Sequence, residues 1–117
     1  MSIPSWTRDY VSLPYEEVDC WGLVKLVYKE IYDIELAGVR DQRDLIKGGF
    51  WTEVIDGWQA GDVMLFKTSA VVRHVAIYID DEYMLHSDRG CGSVIERWGA
   101  RNWLPRLRSV YRCKQIS

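Results

Sequence analysis

Cys20, His74 and His86 are the residues of this 117-residue chain whose types and spacing can do chemistry: one thiol and the only two histidines. Together they can supply a nucleophile, a base that takes its proton and a group that orients the base, the set needed for acyl transfer through a thioester. Asp19 precedes the thiol and is a preferred helix-capping residue, so Cys20 falls in the first helical turn, among free backbone N–H groups at the positive end of the helix dipole. A thiol in that place is expected to ionise more easily than usual, and the thiolate is the reactive form. Taken alone, Cys20 reads equally well as a small buried hydrophobe.

The elements that must position these groups follow from the spacing of apolar residues. Leu23, Val24, Val27, Ile31 and Ile34 recur at helical intervals, which predicts an amphipathic helix from about Cys20 to Tyr32. His74 and His86 sit on two predicted strands, Arg73–Ile79 and Tyr83–Ser87, joined by Asp80-Asp81-Glu82. A three-residue turn pairs Ile79 with Tyr83 and Ala76 with His86, which puts His74, Ala76, Tyr78, Met84 and His86 on one face as neighbours. Val75, Ile77, Ile79 and Leu85 then share the other face, so the register that buries hydrophobes also joins the histidines. Small Ala76 leaves room for a close approach on the histidine face, and the start of the Cys20 helix is expected there.

The remaining strands are predicted at Asp62–Lys67, Ser93–Trp98 and Leu107–Arg112, with a loop or short turn over residues 1–18 and a surface connection over Leu36–Gly49 that holds a short helix near Asp41–Lys47. A helical half before a meander of about five antiparallel strands is the α+β arrangement, in one domain spanning 1–117. A formal charge of −2 argues against a nucleic-acid partner, and no apolar run is long enough for a membrane span. Three cysteines without CxxC spacing disfavour both a disulfide framework and a zinc site, so no metal is expected. The first nine residues lack the basic start and apolar stretch of an export signal, so delivery to any extracellular substrate is expected to depend on another carrier.

The chain resembles the NlpC-type cell-wall peptidases of the papain-like superfamily. The likeness rests on Asp19-Cys20-Trp21-Gly22-Leu23-Val24, on Gly61-Asp62-Val63, and on His74-Val75-Ala76-Ile77-Tyr78-Ile79 with His86 twelve residues after His74. It covers roughly residues 10–112 and implies a papain-like α+β fold, Cys20 as nucleophile, His74 as base, His86 as third residue, and no cofactor. The implied substrate is a peptidoglycan stem peptide, cut between D-glutamate and a diamino acid. Tyr15, Asp19 and Trp21 are the expected substrate contacts; Trp21 stands where the family often has serine, and the family's upstream Tyr-x-x-Gly-Gly is absent. The motif looks most like the bacteriophage-tail branch, which implies a place in the virion tail among other tail proteins, the alternative being the bacterial cytoplasm. A different class of function on the same fold is a structural tail-tip component with lost catalysis. Acyl transfer to another acceptor is the third reading, disfavoured because cysteine precedes histidine here.

Overall fold

The computed structural model describes residues 4–36, 51–69 and 73–115. The short helix expected near Asp41–Lys47 lies outside these residues. A 3-10 turn over Ser5–Tyr10 leads to one α-helix, α1 (Cys20–Ile31), followed by strands β1 (Trp51–Glu53), β2 (Val63–Lys67), β3 (Arg73–Tyr78), β4 (Tyr83–Asp88), β5 (Gly92–Arg97) and β6 (Leu107–Cys113). All strand pairs are antiparallel, in the order β1-β6-β2-β3-β4-β5. Among the described residues the sheet therefore has six strands, where the apolar pattern predicts about five. β1 is three residues long, too short to show the alternation by which a strand is recognised, and is held through its pairing with β6.

The helix begins where Asp19 caps it: the Asp19 carboxylate accepts a hydrogen bond from Gly22 N at 2.7 Å. Leu23, Val24, Val27 and Tyr28 are buried against Val63, Leu65, Val75, Ile77, Ile79 and Leu85. Burying one such side chain stabilises the fold by roughly 2 kcal/mol. The helix thus covers the apolar face of the β3–β4 hairpin. The expectation that its start would lie over Ala76 on the histidine face is not met, because that face carries a second core of Met64, Phe66, Ala76, Tyr78, Met84, Trp103 and Val110. Helical spacing shows which residues of α1 are buried but not which face of the sheet receives them.

Two anchors fix the helix to the sheet. At its start, Ser87 Oγ donates to Val18 O at 2.6 Å, Ser93 Oγ accepts from Leu13 N at 2.8 Å, and Ser12 N donates to Ser93 O at 2.8 Å. Gly92 (φ +74°) permits this docking, since any Cβ there would strike the Leu13 carbonyl. Farther along, the Tyr28 hydroxyl donates to the Gly61 carbonyl. Gly61 (φ +99°) is packed so closely that a Cβ would sit 2.6 Å from Tyr32 Oη.

Candidate active site

The β3–β4 register is Ile77 opposite Leu85 and Tyr78 opposite Met84, with Ile79 N donating to Tyr83 O at 3.0 Å across the turn. This is the register read from the hydrophobic pattern, and it makes His74 and His86 diagonal neighbours. His74 Nε2 and His86 Nδ1 are 2.8 Å apart, and the rings meet edge to face at 5.0 Å between centroids. Trp103 lies parallel to His74, 5.0 Å between centroids, and fixes the ring from its other side. His86 is fully buried, and its Nε2 lies 2.8 Å from Glu96 Oε1 on β5.

Cys20 and His74 line one cavity of about 390 Å³. The N–H of Val75, next to His74 in the chain, acts on the Cys20 thiol, as do those of Trp21 and Cys20 itself. These donors draw the thiol toward ionisation, but burial is the larger effect and, with the Asp19 charge, holds Cys20 above the usual thiol range. The expectation that Cys20 ionises more easily than usual is therefore not met: the first-turn N–H groups favour the thiolate, and desolvation outweighs them. His74 is pushed down to about 4, first by burial and then by His86, with Asp88 opposing. A thiol and an imidazole that line the same cavity can exchange a proton as a bond to sulfur forms.

Tyr15 also lines the cavity, with the Arg89 guanidinium 5.7 Å over its ring. Asp19 acts as the helix cap, and Trp21 packs against the main core, contributing its backbone N–H at the thiol. Among the described residues, Arg73, Arg89 and Arg106 line the cavity with one acidic residue, Asp88, so the described lining is basic although the chain's net charge is negative. Trp103 Nε1 is buried without a hydrogen-bond partner among the described residues. Motif reading misses Glu96, Trp103 and the arginines. Only Glu96 leaves a signal, since β5 pairs Val94 with His86 and so sets Glu96 diagonal to it. Among the described residues, no group of three or more His, Cys, Asp or Glu side chains is placed to hold a metal ion.

A helix carrying cysteine at its first residue, packed on an antiparallel sheet whose central hairpin carries paired histidines, defines a small α+β protein of papain-like fold. Its solved neighbours have that fold: an NLP/P60 protein from Staphylococcus aureus Mu50 (TM-score 0.72, 26% identity, 93% of this chain and 39% of that one) and an NlpC/P60 protein from Bacillus cereus ATCC 10987 (TM-score 0.72, 21% identity, 96% and 41%). The NlpC/p60 domain of the peptidoglycan hydrolase SagA matches at a TM-score of 0.68, with 16% identity over 92% of this chain and 93% of that domain. In sequence the chain is similar to the murein DD-endopeptidase MepS/murein LD-carboxypeptidase of Escherichia coli K12, at 26% identity over 96 residues, 81% of this chain and 49% of the relative. It spans about half the length of that curated relative. The NlpC/P60 family model matches residues 7–112, and the chain belongs to that family.

Proposed function

We propose that the chain is a cysteine peptidase that hydrolyses an amide bond in peptidoglycan stem peptides, with residues 1–117 forming one catalytic domain. The observation that carries this reading is the placement of Cys20 and His74 on one cavity with His86 bonded behind His74. In this mechanism His74 Nδ1, the ring nitrogen not bonded to His86, takes the Cys20 proton as sulfur attacks the scissile carbonyl carbon. The first-turn N–H groups of Cys20 and Trp21, which have no intrahelical acceptor, receive the oxyanion. The proton on His74 then passes to the leaving amine, which departs and leaves a thioester. Water attacks the thioester with His74 again as base, releasing the carboxylic acid and restoring the thiol. His86 holds the His74 ring in place.

Arg73, Arg89 and Arg106 around the cavity suit a substrate rich in carboxylates, as stem peptides are, and Tyr15 offers an aromatic wall beside them. The bond we assign is D-glutamyl–diamino acid; the name of the Escherichia coli relative points instead to DD and LD bonds. Digestion of purified sacculi with the wild type and with Cys20→Ser, followed by mass spectrometry of the released fragments, separates these bonds. Release by the wild type alone is expected, and equal release by Cys20→Ser, or none by either, sinks the reading. We assign its place of action to a bacteriophage tail, on the likeness of the Asp19–Val24 motif to that branch. Weak lysis is then expected when the protein is added to intact cells, together with its detection in purified virions by mass spectrometry. Absence from virions overturns the tail assignment without touching the chemistry.

A further inference from the structure

We propose that Glu96 is a positioning residue that fixes the tautomers of both histidines, so that the nitrogen of His74 facing away from His86 is the one able to accept a proton. Glu96 Oε1 lies 2.8 Å from His86 Nε2, and His86 Nδ1 lies 2.8 Å from His74 Nε2, a continuous line of hydrogen bonds from β5 through β4 to β3. The direction of that line is decided at its outer end. A carboxylate has acceptors only, so neutral His86 must carry its proton on Nε2. Its Nδ1 is then bare and accepts, so His74 must donate from Nε2. A neutral imidazole has one N–H, and His74 Nδ1 is left with a lone pair.

Without the carboxylate the line has no preferred direction. The His74–His86 bond is equally well made with the proton on His86 Nδ1, and in that arrangement His74 carries its proton on Nδ1 and cannot act as a base there. The pair alone is a two-state element, and Glu96 selects one state by placing lone pairs against His86 Nε2. The same negative charge lies behind the imidazolium that His74 becomes once it accepts a proton. His86 is fully buried and the Glu96 side chain is 35% exposed, so the selecting charge sits at the rim of the sheet with its target inside.

The consequence for catalysis rests on the roles given above to Cys20 and His74, whereas the tautomers do not. Long-range 1H–15N correlation spectra of the full chain with 15N-labelled histidine, at neutral pH, are expected to show both rings protonated at Nε2 and bare at Nδ1. In Glu96→Ala, and to a smaller degree in Glu96→Gln, whose amide can donate as well as accept, both rings should shift together toward a mixture of tautomers. An even mixture halves the competent fraction, and loss of the charge behind the imidazolium brings the expected fall in kcat to about tenfold with KM little changed. If Glu96→Ala fails to fold, the isosteric Glu96→Gln carries the same comparison. Both rings keeping Nε2–H in the folded variants overturns the proposal, whatever the activity. The tautomer shift in the Glu96 variants, found together with a wild type that cuts no sacculi, leaves the proposal standing and removes the peptidase reading instead.

Discussion

Burial, and then His86, push His74 far below the ordinary histidine range, and in the proposed mechanism, where His74 is the base, this sets the acid limit of activity. The base is neutral until the pH falls to about 4, so the acid limb of kcat/KM is expected near pH 4 rather than near 6.5. A limb at 6 or above in the pH–rate profile contradicts that placement. The same depression is a stability statement. Between about 4 and 6.5 the unfolded chain binds a proton at residue 74 that the folded chain refuses, so stability is complete above 6.5 and declines as the pH falls toward 4. The loss is on the order of 3 kcal/mol. Urea unfolding at pH 7 and pH 4 should show His74→Gln losing less stability than the wild type by about that amount. In sacculus digestion, His74→Ala is expected to lose about a thousandfold in kcat, while His86→Gln keeps roughly a hundredth to a tenth, because an amide oxygen can still accept from His74 Nε2. Equal loss in both variants means the two roles are assigned wrongly. At this scale residue type and strand parity were legible in the sequence, which is why the histidine pair was found. Burial was not, because it depends on what covers a residue: the Cys20 thiol is desolvated by the packing of its helix, and His74 by Trp103, a residue far from it in the chain.

At the scale of elements the hairpin was readable because two independent signals agree. The apolar set Val75, Ile77, Ile79 and Leu85 demands one register, and the turn supplies the same one, with Asp80 Oδ1 accepting from Glu82 N and Tyr83 N at 2.8 Å each. The docking of the helix start was not readable, since it depends on single hydroxyls whose partners are carbonyl groups, and carbonyls are the same in every residue. Ser87 is the case with a functional consequence. Its Oγ holds the Val18 carbonyl two residues before the thiol, while the strand bearing it also bears His86. Ser87→Ala should therefore let the helix start shift against the hairpin, and a displacement of about 1 Å can cost up to a hundredfold in rate. The expected result is a kcat lowered by about tenfold with a stability loss of only about 1–2 kcal/mol. An unchanged kcat in a variant of lowered melting temperature shows that other contacts suffice to hold the thiol.

Across the whole molecule the sheet separates two cores, the helix on one face and the tryptophan-rich layer of Trp58, Trp98 and Trp103 on the other, and the cavity is lined from both, by Cys20 and by Trp103. The Gly61-Asp62 pair, read in the sequence as part of a family pattern, does its work here, away from the cavity. Asp62 is buried at the head of β2, where its two carboxylate oxygens accept from Arg112 Nε at 2.9 Å and Arg112 Nη2 at 2.8 Å, and one of them also from Gln59 N at 2.8 Å. This two-point pair ties β2 to β6 beside the carbonyl that receives the Tyr28 hydroxyl, so helix and sheet are joined at the end opposite Cys20. Removing Asp62 leaves the Gln59 N–H without its carboxylate acceptor and Arg112 with only the Gly57 carbonyl, 3.1 Å from Nη2; breaking a buried pair costs about 3–5 kcal/mol. Arg112 is 28% exposed and can recover some hydration, which places Asp62→Ala near 3 kcal/mol, a fall in melting temperature of roughly 10 °C for a chain of this size. Because Asp62 does not line the cavity, kcat measured well below the new melting point is expected to stay within about twofold of the wild type. A large loss of kcat in the folded variant, with melting unchanged, means the Gly61-Asp62 turn acts on the site itself and not through the joint between helix and sheet.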